Sequence, residues 1–197
     1  MYLLVGLGNP GREYAQNRHN VGFMCVDEIQ KSYGFSPAKA KFSGLLSEGQ
    51  VDQEKIYLFK PLAYMNRSGR PVAEAARFFK IPPDHVIIFH DDLDLMPGKV
   101  RVKQGGGHGG HNGLRDLDAH LGKQYWRVRI GIGRPLHKEM VTSYVLSNFS
   151  QEDHLWLDPL LALLADEVHL LFTSSPQDFG AKLMQILSST SETPHGI

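Results

Sequence analysis

The chain has 197 residues, 42% hydrophobic and 21% charged, with 21 basic and 21 acidic side chains that cancel. This is ordinary globular usage, at a length suited to one domain with its own core. A single cysteine rules out an internal disulfide. With neither an 18-residue apolar run nor a basic-plus-apolar leader, no membrane span or signal peptide is expected, and the expected compartment is the cytoplasm.

In chain order, "YLLVGL" (2–7) reads as a buried strand and "NVGFMCVDEIQKSYG" (20–34) as a helix ending at Gly34. Two strands follow, 42–49 and 55–60, parted by a polar turn. Residues 68–80 read as a helix that Ser68 can cap and Pro82-Pro83 end. "HVIIFHDD" (85–92) is a second buried strand and "KVRVKQ" (99–104) a half-exposed one. A helix over 114–122 follows a glycine-rich loop, and "WRVRIGIG" (126–133) is another strand. Apolar spacing makes 152–172 and 178–187 helical, with Pro159 either starting the main part of the first or kinking it. The alternation predicts an α/β fold: a single domain over 1–190 with a twisted mixed β-sheet flanked by helices, and a frayed tail at 191–197.

"GLGNPG" fits the dinucleotide spacing G-x-G-x-x-G, with Gly6, Gly8 and Gly11. A dinucleotide cradle needs backbone N–H groups and a helix starting inside the motif. Pro10 removes one donor, and "REYAQNRHN" lacks helical apolar spacing. These glycines instead turn the chain sharply at a strand end and present Asn9.

Four polar clusters follow extended segments: Asn9, Tyr14 and His19; Tyr64, Met65 and Asn66; His90, Asp91, Asp92 and Asp94; and His108, His111 and Asn112. Opening at one sheet edge, they would line one cleft. A histidine paired with a carboxylate can take a proton from water. No serine sits in G-x-S-x-G, so activated water suits these residues better than a covalent route. Asparagine amides supply donors and acceptors for an amide backbone, though each is also an ordinary turn residue. "HGGH" with His90 and the aspartates offers metal ligands, but the spacing lies in a loop without H-E-x-x-H and is a weak pointer. Cys25, within "VGFMCV", reads as a buried thiol.

The neutral total hides a segregation. Residues 99–138 carry nine basic side chains against two acidic, and residues 139–197 carry only Lys182 against eight acidic. This is either a polyanion-binding face or a solvated surface whose charges scatter in three dimensions.

Together, "VGLGNPGREYAQNRHNVGF", "KPLAYMNRSG", "HDDLDLMPGKVRVKQGGGHGGHNGL" and "WRVRIGIGRP" resemble, in order and spacing, the signature blocks of the bacterial-type peptidyl-tRNA hydrolase family, over about residues 2 to 150. The resemblance implies hydrolysis of the ester joining a peptide to the 3′ ribose of tRNA, recycling peptidyl-tRNA from aborted translation. It implies that His19 is the general base, that Asp91 supports it, and that Asn9 separates peptidyl from unblocked aminoacyl substrates. It places Tyr14, Tyr64, Asn66 and Asn112 on the substrate's ester, peptide and terminal nucleotide, with Met65 as an apolar wall. His90 and His111 would assist from behind. Lys103 and Arg134, each adjoining a block, are the first choices for tRNA phosphates. Arg127 and Arg129, alternating on a strand, are expected on one face. No metal or cofactor is required, and a monomer without an obligate protein partner is expected. The alternatives are a non-catalytic RNA-binding module and a metal-dependent hydrolase.

Overall fold

The apolar runs pair into one sheet. The computed structural model describes residues 1–191, with strands β1 (Tyr2–Gly6), β2 (Lys39–Lys41), β3 (Gly44–Val51), β4 (Glu54–Pro61), β5 (Val86–Asp92), β6 (Val100–Gln104) and β7 (Trp126–Gly131). Helices are α1 (Val21–Tyr33), α2 (Gly69–Phe78), α3 (Asn112–Leu121), α4 (Val141–Val145), α5 (Gln151–Asp166), α6 (Leu170–Thr173) and α7 (Pro176–Ser191). The sheet order is β2-β3-β4-β1-β5-β7-β6. β4, β1, β5 and β7 run parallel, and β2, β3 and β6 supply the antiparallel pairings. This is the expected α/β domain with a mixed sheet.

Strand alternation sorts the core by face. Leu4, Ile87, Phe89 and Val128 join Val21, Cys25 and Ile29 of α1 and Leu157, Leu160 and Leu164 of α5. Leu3, Val5 and Ile88 join Val72, Ala75 and Ala76 of α2 and Leu114 and Leu117 of α3. Truncating one such side chain, Phe89→Ala for instance, typically costs about 3–5 kcal/mol.

Four local expectations are corrected. Phe42 and Ser43, expected to open a strand, form the β2–β3 turn at φ 53° and 54°, and β2 itself was not anticipated. Ser68 does not cap α2: its hydroxyl donates to Met65 O, while Asp116 of α3 accepts from Gly69 N at 2.7 Å. The helix expected over 152–172 stops at Asp166. It begins at Gln151 with a reciprocal Ser150–Asp153 cap, so Pro159 lies inside it rather than starting it. The short α4 is an addition. The tail expected at 191–197 lies outside the described residues apart from Ser191, which ends α7.

Two glycines set the distance between α1 and the sheet. A Cβ on Gly22 would lie 2.2 Å from Phe89 O and 2.5 Å from Leu7 N, and one on Gly6 would lie 2.2 Å from Gly22 O. Without side chains there, the start of α1 sits directly on the ends of β1 and β5.

Candidate active site

The parallel strands deliver three of the four clusters to their shared C-terminal edge: Asn9 to Asn20 after β1, Tyr64 to Asn66 after β4, and Asp91 at the end of β5. The fourth arrives differently from expectation. β6 is antiparallel to β7, pairing Gln104 with Trp126, so it ends at the opposite edge. The glycine-rich stretch 105–110 must return along the sheet face to bring His111 to Asp91. Arg127 meets it on the way, donating to Gly107 O at 2.6 Å, Gly106 O at 3.1 Å and Asp118 at 2.9 Å.

One cleft of about 870 Å³ is lined by all ten site residues that the sequence nominated: Asn9, Tyr14, His19, Tyr64, Met65, Asn66, Asp91, Lys103, Asn112 and Arg134. At its floor, His19 Nδ1 lies 2.8 and 2.9 Å from the two Asp91 oxygens. His111 Nε2 approaches the same carboxylate at 2.9 Å. His111 Nδ1 accepts from the Gly113 and Leu114 amides, capping α3, so its proton sits on Nε2 and points to Asp91. His19 in turn donates from Nδ1, which leaves its lone pair on Nε2, away from the carboxylate.

Burial alone would raise the Asp91 carboxyl, but the charges and hydrogen bonds of His19 and His111 hold it well below the usual range. Burial opposes protonation of His19, yet the Asp91 charge and hydrogen bond raise its pKa above the ordinary histidine value. His90, whose Nδ1 bonds Asp91 O at 2.8 Å, is driven down to about 3 by burial and then by His111, and stays neutral.

His19, Asp91 and His111 bring ligand-type atoms within 4.8 Å of one another. They fit a hydrogen-bonded chain better than a cation. With Nδ1 engaged by two amides, His111 carries a proton where a metal would need a lone pair.

Asn9 is held from two sides. Its Oδ1 accepts from Met65 N at 2.7 Å, and among the described residues the side-chain NH₂ is left available. Its backbone N–H and C=O both bond the Asn20 side chain, at 2.9 and 3.0 Å. The sequence reading missed Asn20, treating it as a helix start, although it lies within the quoted "RHN". It also missed Val141, Val145 and Leu146 around α4, which line the cleft; only the 141/145 spacing hinted at them.

The basic strip is partly internal. Arg127 and Arg129 do share a face, but Arg127 is fully buried and cannot reach RNA, which corrects its place in the exposed strip. Arg129 pairs with Asp92 at 2.8 Å and Arg134 with Asp94 at 2.6 Å on the rim. Lys103 has its pKa lowered by partial burial and by Arg129 and Arg127. Among the described residues, no helix is long and apolar enough to cross a membrane.

The family model described as "Peptidyl-tRNA hydrolase" matches residues 3–192. The peptidyl-tRNA hydrolase of Rhodospirillum centenum is 57% identical over 183 residues, covering 93% of this chain and 81% of that protein. That of Acidiphilium cryptum is 54% identical over 191 residues, covering 96% and 100%. The crystal structure of peptidyl-tRNA hydrolase from Acinetobacter baumannii superposes with a TM-score of 0.88 at 40% identity, covering 93% of this chain and 94% of that one. On this match in sequence, length and fold, the chain belongs to the peptidyl-tRNA hydrolase family.

Proposed function

We propose that this protein hydrolyses the ester between a peptide and the 3′ ribose of tRNA, with His19 as general base. The observation that carries the reading is the His19 imidazole, its Nδ1 fixed on Asp91 and its Nε2 lone pair free, at the floor of a cleft with amide walls and a basic rim. Nε2 takes a proton from a water that attacks the ester carbonyl, and the Asp91 carboxylate stabilises the imidazolium formed. The same Nε2 returns the proton to the departing ribose oxygen.

The free NH₂ of Asn9 favours a peptide carbonyl and disfavours the ammonium of an unblocked aminoacyl ester. Tyr14, Tyr64, Asn66 and Asn112 surround the ester and terminal nucleotide, with Met65 as the apolar wall. Lys103 and Arg134 meet phosphates; the exposed Arg134–Asp94 pair is weak enough to exchange for one. A substrate made during translation supports a cytoplasmic location, and a cleft lined by residues of one chain supports action as a monomer.

Incubating the protein with N-acetylaminoacyl-tRNA tests this. Peptide analogue is released with EDTA present, and His19→Ala abolishes turnover while tRNA binding persists. Binding without release by the unaltered protein would favour an RNA-binding module, and loss of activity in EDTA a metal-dependent hydrolase.

A further inference from the structure

His19 sits in a loop with little regular structure of its own: residues 12–20 contain two single 3₁₀ turns and an isolated antiparallel bridge from Asn17 to Asn148. Its orientation is therefore imposed through its neighbours. On one side Asn20 grips Asn9. On the other, Arg18 reaches into the corner between α4 and α5. Its Nη1 donates to the Ser147 hydroxyl at 2.6 Å and to Asn148 O at 2.9 Å, and its Nη2 to Asp153 at 2.8 Å. The guanidinium carbon lies 4.6 Å from the Tyr144 ring centre and 5.6 Å from that of Phe149. Backbone bonds flank it, Arg18 N to Ser147 O at 3.0 Å and Phe149 N to Gln16 O at 3.0 Å, with Asn17 Nδ2 on Asn148 Oδ1 at 2.8 Å. Asp153 is itself the N3 partner of Ser150 in the reciprocal cap of α5.

We propose that Arg18 is a positioning residue for the reaction: by clasping the α4–α5 corner it fixes the His19 ring on Asp91. The proposal rests on the hydrolase reading above. The side chain is only 14% exposed, with both terminal nitrogens occupied, so it is an internal strut rather than a phosphate contact. The planar fork suits several acceptors at fixed angles, which a lysine ammonium on a flexible stem cannot reproduce.

The test is a double-mutant cycle in kcat on N-acetylaminoacyl-tRNA, using Arg18→Lys, which keeps the charge, and Asp91→Asn. Small displacements of a positioned group cost up to about 10²-fold. We expect Arg18→Lys to lower kcat about tenfold with KM within about threefold, and to cost less than about twofold once Asp91 is already Asn. Ser147→Ala, which removes one acceptor and no charge, gives a second reading should Arg18→Lys not fold: kcat falls about threefold, again only when Asp91 is intact. Losses that simply multiply would assign Arg18 a structural role only, and a rise in KM at unchanged kcat would make it a substrate contact; either overturns the proposal. If the unaltered protein shows no turnover, the hydrolase reading falls first; normal turnover with additive losses removes only Arg18.

Discussion

Two imidazoles, His19 and His111, share the Asp91 carboxylate, and at His19 its charge outweighs burial. In its proposed role His19 acts as a base only when neutral, and Asp91 raises its pKa above the ordinary histidine value. kcat/KM should therefore climb with pH through a midpoint above about 6.5. In Asp91→Asn the raising charge is gone and burial remains, so the midpoint should move down while the plateau drops about 10²–10⁴-fold. A pH–rate profile of both proteins checks this, and an unmoved midpoint would detach His19 from the rate-controlling ionisation. At this scale the placement of residues was most legible: His19, Asp91, Asn9, Asn66 and Asn112 lie inside the motif blocks and meet in one cleft. Asn20 and Arg18 were not, because what their side chains grip depends on the docking of α1 and α5, which no local spacing encodes.

At the scale of elements, the contact between α1 and the sheet is set by the absence of two side chains. Gly22→Ala would press a methyl group against Phe89 O and Leu7 N, both backbone atoms with little freedom to yield. Overpacking of this kind costs about 1–3 kcal/mol and moves the helix outward, carrying His19 from Asp91. Urea denaturation should show the loss of stability, and activity should fall further than the unfolded fraction explains; wild-type kcat in a destabilised variant would uncouple helix seating from the site. Strands and long helices were readable from period 2 and period 3.6. The five-residue α4 and three-residue β2 are too short to show a period, and the break after Asp166 follows an uninterrupted apolar pattern.

For the molecule as a whole, the charge split of the sequence overstates the free cationic surface. Three of the nine basic residues in 99–138 are paired with carboxylates, and one of those, Arg127, is interior. Lys103 stands at the cleft beside other cations, available to a phosphate. Lys103→Ala should weaken tRNA binding and reduce the slope of log Kd against log salt by about 0.7–0.9, the share of one phosphate contact. Titrations at several salt concentrations measure it, and an unchanged slope would remove Lys103 from the interface. The linear sequence showed where charge accumulates, but neutralisation by Asp92, Asp94 and Asp118 appears only when strands and loops are brought together.

The clasp at Arg18 spans 129 to 135 positions of chain. During synthesis the loop bearing His19 emerges early, yet the corner that holds it is made only with residues 147–153. Contacts so distant in sequence form late, because a long loop must close before they are rewarded. A nascent chain released before that corner exists would carry every residue proposed to touch substrate and still lack a seated imidazole, so catalytic competence should arrive abruptly, after most of the polypeptide has been built.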